Sequence, residues 1–269
     1  MSKKWYLLGL VVIYVAIYSQ YLLHLNFILN VLLVYGVPIT VTGLIWGRQI
    51  IRKALKNNLK AVEYGLGYFG AFTILGAIVA SILLVIISQF DPNAVNLLNT
   101  PNPLLQIPPE LAAIMIAVSI LVIGPAEEFL FTGFVYGGLL NLFKGRNWLV
   151  LALISSTLFA SVHLYYALVY GVASIVLFII LMSFNLAMAS TYYISKGNLI
   201  VPILIHGVYD ATGFAGVVTS LDTAILLRGA MILIGLAAAA VVMIQRTRKK
   251  SVTNQQSPTT FETQLITRE

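Results

Sequence analysis

Residues 123–134 read I-G-P-A-E-E-F-L-F-T-G-F, and the adjacent acids Glu127 and Glu128 interrupt an otherwise almost wholly apolar run from 111 to 143. A run of that length exceeds the roughly 20 residues needed to cross a bilayer. A charged side chain near the bilayer centre costs about 2.5–3.5 kcal/mol on insertion scales. The stretch therefore implies a membrane helix that keeps two acids against a penalty. The whole chain points the same way. Of its 269 residues 59% are hydrophobic and 9% charged, and mean hydropathy is +0.94. Soluble domains carry about 25% charged residues, so polar surface is too scarce here to cover a water-soluble globule. The expected fold class is all-α, a polytopic transmembrane helical bundle. The chain has no cysteine, which excludes disulfides, thiolate metal sites and cysteine nucleophiles. The net charge of +7 reads as basic loops that set orientation, with no nucleic-acid partner implied.

Outward from 110–143, the pattern predicts about eight spans. Towards the N-terminus lie 64–87, then 27–46 with a kink at Pro38, then 5–23. The last of these is too long for a signal peptide and lacks an A-x-A cleavage site. His24 falls in the turn between the first two spans. Arg48, Arg52, Lys53, Lys56 and Lys60 occupy a loop or interfacial helix, and 89–109, rich in asparagine and proline, reads as a loop. Towards the C-terminus, 148–194 holds two spans broken near Tyr165-Tyr166 or at Gly171, followed by 199–218 and 224–244. Residues 1–245 thus form the membrane domain. Residues 246–269 form a basic tail, polar after Ser251 and expected to be disordered. All the basic clusters (Lys3/Lys4, 48–60, Lys144/Arg146, Lys196 and 246–250) fall on one side, which predicts cytoplasmic N and C termini. Gly124-Pro125 should bend the central span just before the acids. No internal repeat of the kind that builds transporters is evident.

By this layout the ionisable groups inside spans are Glu127, Glu128, His163, His206 and Asp210. His206 and Asp210 are i and i+4 and share a helix face. Each has a bland reading. His163 can be a helix–helix hydrogen bond, His206 with Asp210 a local packing pair, and Glu128 the structural partner of a working Glu127. Together, acids and bases on three helices with no buried lysine or arginine beside them read as a site. Two histidines and a carboxylate can ligate zinc, but H-E-x-x-H is absent and the histidines come from different helices. A carboxylate that activates water, with histidines to shuttle protons and hold an oxyanion, is a second chemistry. Proton-coupled transport is a third.

These residues resemble the CPBP family, the CAAX-protease and bacteriocin-processing membrane proteins. The family's marks are E-E-x-x-x-R, F-x-x-x-H and H-x-x-x-N or H-x-x-x-D on successive helices. Here they stand as Glu127-Glu128-Phe129-Leu130-Phe131-Thr132, Phe159-Ala160-Ser161-Val162-His163 and His206-Gly207-Val208-Tyr209-Asp210, within about 111–218. The resemblance implies an intramembrane endopeptidase of the glutamate type. By it, Glu127 would deprotonate the attacking water, His163 would help to hold that water, and His206 and Asp210 would stabilise the tetrahedral intermediate. It implies no cofactor, with zinc as the remaining alternative. The implied partner is a membrane-embedded or lipid-anchored peptide or protein, a prenylated C-terminus being one form. The expected cavity lies between the fourth, fifth and seventh helices and opens to the cytoplasmic side of the cell membrane.

Thr132 departs from the family pattern. An arginine there would stand i+4 from Glu128 and could pair with it; a threonine offers only a hydroxyl, so Glu128 is expected either to be protonated or to find another partner. This departure keeps open a catalytically inactive scaffold or immunity-type protein of the same family, with an ion-coupled carrier as a further alternative. Straight helices put Glu127 about 25 Å from Lys144, His163 about 23 Å from Trp148, but His206 only about 15 Å from Lys196. Bringing them level requires a bend at Pro125, a tilt, or a span end placed elsewhere.

Overall fold

The computed structural model describes residues 3–23, 27–99, 102 and 105–255. His24 and residues 256–269 of the expected tail lie outside them. Among the described residues there is no strand. The chain runs through α1 (Lys3–Ser19), α2 (27–54), α3 (Asn58–Phe90), a short α4 (Ala94–Leu98), α5 (Pro109–Leu142) and α6 (Trp148–Ser161). It continues through a short α7 (Tyr165–Tyr170), α8 (Ser174–Ile194), α9 (Ile200–Val218) and α10 (Leu221–Gln255). Six helical stretches are long and apolar enough to cross a membrane: Leu29–Ala54, Asn58–Phe90, Pro109–Leu142, Tyr165–Ile194, Ile200–Val218 and Leu221–Thr247. The two remaining expected spans are shorter helices, α1 with 17 residues and α6 with 14.

Several boundaries differ from the sequence reading, for one physical reason. Helices here outrun the apolar segment and continue through the basic residues that follow it. Thus α2 continues to Ala54 through Arg48, Arg52 and Lys53, and α10 continues to Gln255 instead of stopping at the 246–250 cluster. The 89–109 loop contains α4, whose Ala94 packs with Tyr170 and Ala173 in a small second apolar cluster. The expected break in 148–194 occurs twice, at 162–164 and at Gly171, where φ is +54°.

The two prolines deep within bilayer-length helices, Pro38 and Pro125, are each preceded by a π-helical turn. Leu32–Gly36 precedes Pro38, and Ser119–Ile123 precedes Pro125. Proline lacks an N–H and its ring crowds the carbonyl four residues back. A wider turn with i→i+5 bonding absorbs that conflict without breaking the helix. A second π-helical segment, Glu128–Tyr136, begins on the second acid.

The basic residues gather at one end of the bundle. The Lys3 ammonium lies 5.9 Å from the Phe143 ring centre, and the Arg246 guanidinium 4.9 Å from that of Tyr64. The 195–198 turn joins them, but it is drawn into the bundle. Ser195 and Asn198 are fully buried. The Asn198 side-chain amide donates to Lys56 O at 2.8 Å and Asn58 Oδ1 at 2.7 Å, and the Leu199 N–H donates to Ala54 O at 3.1 Å. Leu199 consequently packs where a Cβ on Gly133 would lie 3.1 Å from its Cδ1. So Leu199, just before α9, lies level with Gly133, six residues from Glu127, and His206 follows it by seven residues. The difference in depth is resolved by the position of the span end.

Candidate active site

The site is built by the approach of α5 and α9. A Cβ on Gly124 would lie 2.8 Å from Gly207 N, and one on Gly207 would lie 2.7 Å from Ile120 Cα. The two backbones are therefore in contact at this level, and only glycine permits it. Glu127 and Glu128 stand one turn beyond Gly124, and His206 immediately precedes Gly207. The crossing brings them together without any loop.

His206 is the centre of the cluster. Its Nδ1 lies 2.7 Å from Glu128 Oε1. Its Nε2 lies 3.6 Å from Glu127 Oε2 and 3.5 Å from Asp210 Oδ2. A ring with a proton on Nδ1 donates to Glu128, which fixes its orientation and turns Nε2 towards the other two acids. Phe184 packs edge-on against the His206 ring at 4.9 Å, and Phe159 does the same at 6.1 Å. Exposure is graded across the cluster: the Glu128 side chain is 1% exposed, that of Glu127 16% and that of Asp210 33%. Towards the basic end, the following turns of α5 are sealed by Leu130, Phe131, Phe134 and Val135, all buried. The opening expected on that side is not seen among the described residues; the exposed edge is at Asp210.

Glu128 thus finds in His206 the partner that the family arginine would otherwise supply. Thr132 is fully buried, and neither its hydroxyl nor Glu128 Oε2 has a hydrogen-bond partner among the described residues. His163 is the one expected member that is not in direct contact. Its Nδ1 lies 3.1 Å from the Phe159 carbonyl, which can only accept, so Nδ1 carries the proton and Nε2 is left as an acceptor. Its ring lies 5.0 Å from that of Phe159 and stacks on Tyr166 at 6.1 Å. Phe159 therefore touches both histidines. Among the described residues no His, Asp and Glu side chains form a metal-holding group of three or more.

One contributor escaped the sequence reading. The Tyr35 hydroxyl, from the π turn that precedes Pro38 in α2, donates to Glu127 Oε1 at 3.4 Å. A tyrosine in an apolar span carries no mark of its own among 14 in the chain.

With this geometry established, comparison with known proteins gives one match. Residues 109–212 match the family model described as type II CAAX prenyl endopeptidase Rce1-like. No curated protein and no solved structure matches the chain. An Rce1-like domain thus occupies α5 to the middle of α9, in keeping with the CPBP resemblance. It contains all three motifs from Glu127 to Asp210 and leaves Tyr35 outside.

Proposed function

We propose that this integral membrane protein hydrolyses a peptide bond in a membrane-associated substrate, with Glu127 as the base that activates water. One observation carries the reading: two acids, a histidine and an aspartate from two helices converge within 3.6 Å at a glycine-mediated crossing inside an apolar bundle. The match to the Rce1-like family model over 109–212, a stretch that includes these residues, supports a protease-type function. Glu127 takes a proton from a water, whose oxygen adds to the scissile carbonyl carbon. The oxyanion so formed is held by an N–H on His206 Nε2, with Nδ1 donating to Glu128. Collapse breaks the C–N bond as the proton held by Glu127 passes to the leaving amine. Asp210, at the exposed edge, orients Nε2, Tyr35 orients the Glu127 carboxylate, and His163 presents its Nε2 to the water from beyond Phe159. The substrate reaches the cluster at the Asp210 edge. The basic end, with both ends of the chain, faces the cytoplasm on the positive-inside rule.

Cleavage of a farnesylated CAAX peptide and of a broad peptide library tests this, with wild type, Glu127→Gln, His206→Ala and His163→Ala side by side in nanodiscs. Loss of a general base should lower the rate by about 10²–10⁴-fold with thermal unfolding unchanged. Cleavage by Glu127→Gln at the wild-type rate would sink the proposal, as would stoichiometric zinc with chelator-sensitive activity. A second reading, an inactive relative, draws on Thr132 standing where the family has arginine; it expects no turnover by wild type on any library member.

A further inference from the structure

Among the described residues one cation, Arg228, lies within the bundle away from the basic end. Arg228 belongs to α10, seven residues in from Leu221, and is half-buried. Its Nε donates to Thr212 Oγ1 at 2.9 Å, and its guanidinium carbon lies 4.8 Å from the centre of the Tyr209 ring. These contacts engage Nε and one face, and leave the two Nη groups. Among the described residues no carboxylate pairs with it: the ion pairs found there are those of His206. A guanidinium drawn into an apolar bundle without a counter-charge is unfavourable unless a ligand supplies one.

Its position says where that ligand would come from. Nη2 stands 3.1 Å from the place a Cβ on Gly213 would take, so the missing side chain makes room for it. Gly213 is three residues beyond Asp210, one turn along the same face of α9. Asp210 is the most exposed member of the acid–histidine cluster. The free guanidinium edge therefore borders the mouth of the site.

We propose that Arg228 is the subsite that receives the free C-terminal carboxylate of the peptide to be cleaved. This rests on the peptidase reading above. The planar pair of Nη donors matches a carboxylate in a two-point contact. Seven residues separate His206 from Gly213, a rise of about 10 Å. An extended peptide covers about 3.3–3.6 Å per residue, so the scissile bond falls about three residues from the carboxylate.

The test separates binding from turnover. A farnesylated CAAX peptide, as free acid and as C-terminal amide, is titrated against the Glu127→Gln protein in nanodiscs. The same titration is run with Arg228→Gln and Arg228→Lys added, and thermal unfolding reports folding of each. The free acid should bind at least tenfold more tightly than the amide. Arg228→Gln should abolish that preference without weakening amide binding, and Arg228→Lys should restore part of it. Equal binding of acid and amide, an acid preference that survives Arg228→Gln, or no binding of either peptide overturns the assignment. So does a loss on Arg228→Gln of bound anionic lipid alone, which would make the guanidinium a headgroup site. If wild type cleaves nothing while the acid preference holds, the peptidase reading fails and the subsite stands. If wild type cleaves acid and amide alike, the reverse is true.

Discussion

Two helix crossings in this bundle use glycine in the same way and produce different things. Where α3 meets α10, a Cβ on Gly70 would lie 2.6 Å from Gly235 C, and one on Gly235 would lie 2.6 Å from Leu66 O. Where α5 meets α9, Gly124 and Gly207 stand equally close. The first crossing joins uninterrupted helices, and what meets there is Gly70, Gly235, Leu66 and Leu236. The second adjoins two π-helical segments and places Glu128 against His206 at 2.7 Å. Close backbone approach is the ordinary means of association where the solvent is as apolar as the side chains. It becomes a site when the adjacent turn carries acids and the helix is irregular enough to aim them.

The comparison breaks most visibly if each crossing is pried open in turn. Overpacking usually costs about 1–3 kcal/mol, and both Gly207→Ala and Gly235→Ala should lose that much in thermal unfolding. Only Gly207→Ala should also lose turnover, by about 10²-fold, since a misplacement of about 1 Å has that effect. Gly235→Ala should leave the activity per folded molecule unchanged. Equal turnover in both variants would dissolve the distinction.

Smaller effects sharpen the same contrast. His206→Ala leaves Glu128 buried without its partner and should destabilise by about 1–3 kcal/mol; the control Phe184→Leu keeps the Glu128 contact and should retain it by histidine spectroscopy. Thr132→Val removes a buried hydroxyl without a hydrogen-bond partner among the described residues and should be neutral or slightly stabilising, within about 0.5 kcal/mol in denaturation. Thr132→Arg, the family residue, should lower the unfolding temperature, because the site is fully occupied by its present neighbours. Tyr35→Phe removes one long hydrogen bond and should cost at most about 0.5–1.5 kcal/mol, with a measurable shift in the pH profile of cleavage.

The acids and histidines were legible because an ionisable group in an apolar run stands out by chemistry alone. Glu127, Glu128, His206 and Asp210 meet as their residue types suggested. The helical class was equally open to reading. What hid was geometry. Gly124 and Gly207 are two among 20 glycines, and nothing in composition says which face each other. The start of α9 agrees with the expected span 199–218, but its depth does not show in the sequence, because Ser195 and Asn198 are drawn inward by bonding to the α2–α3 connection. The expected span ends at Trp46 and Ile244 fall short of Ala54 and Thr247, because charged residues do not stop these helices but are carried outward on them.

The most direct measurement of the central claim is the distance between His206 Nδ1 and the Glu128 carboxyl carbon. Solid-state NMR on protein labelled in histidine nitrogen and glutamate carbon can read it, because the chain has only three histidines. A strong coupling is expected in wild type and in Gly235→Ala, and its loss in Gly207→Ala. Absence of that coupling in wild type, or its survival in Gly207→Ala, would contradict that claim.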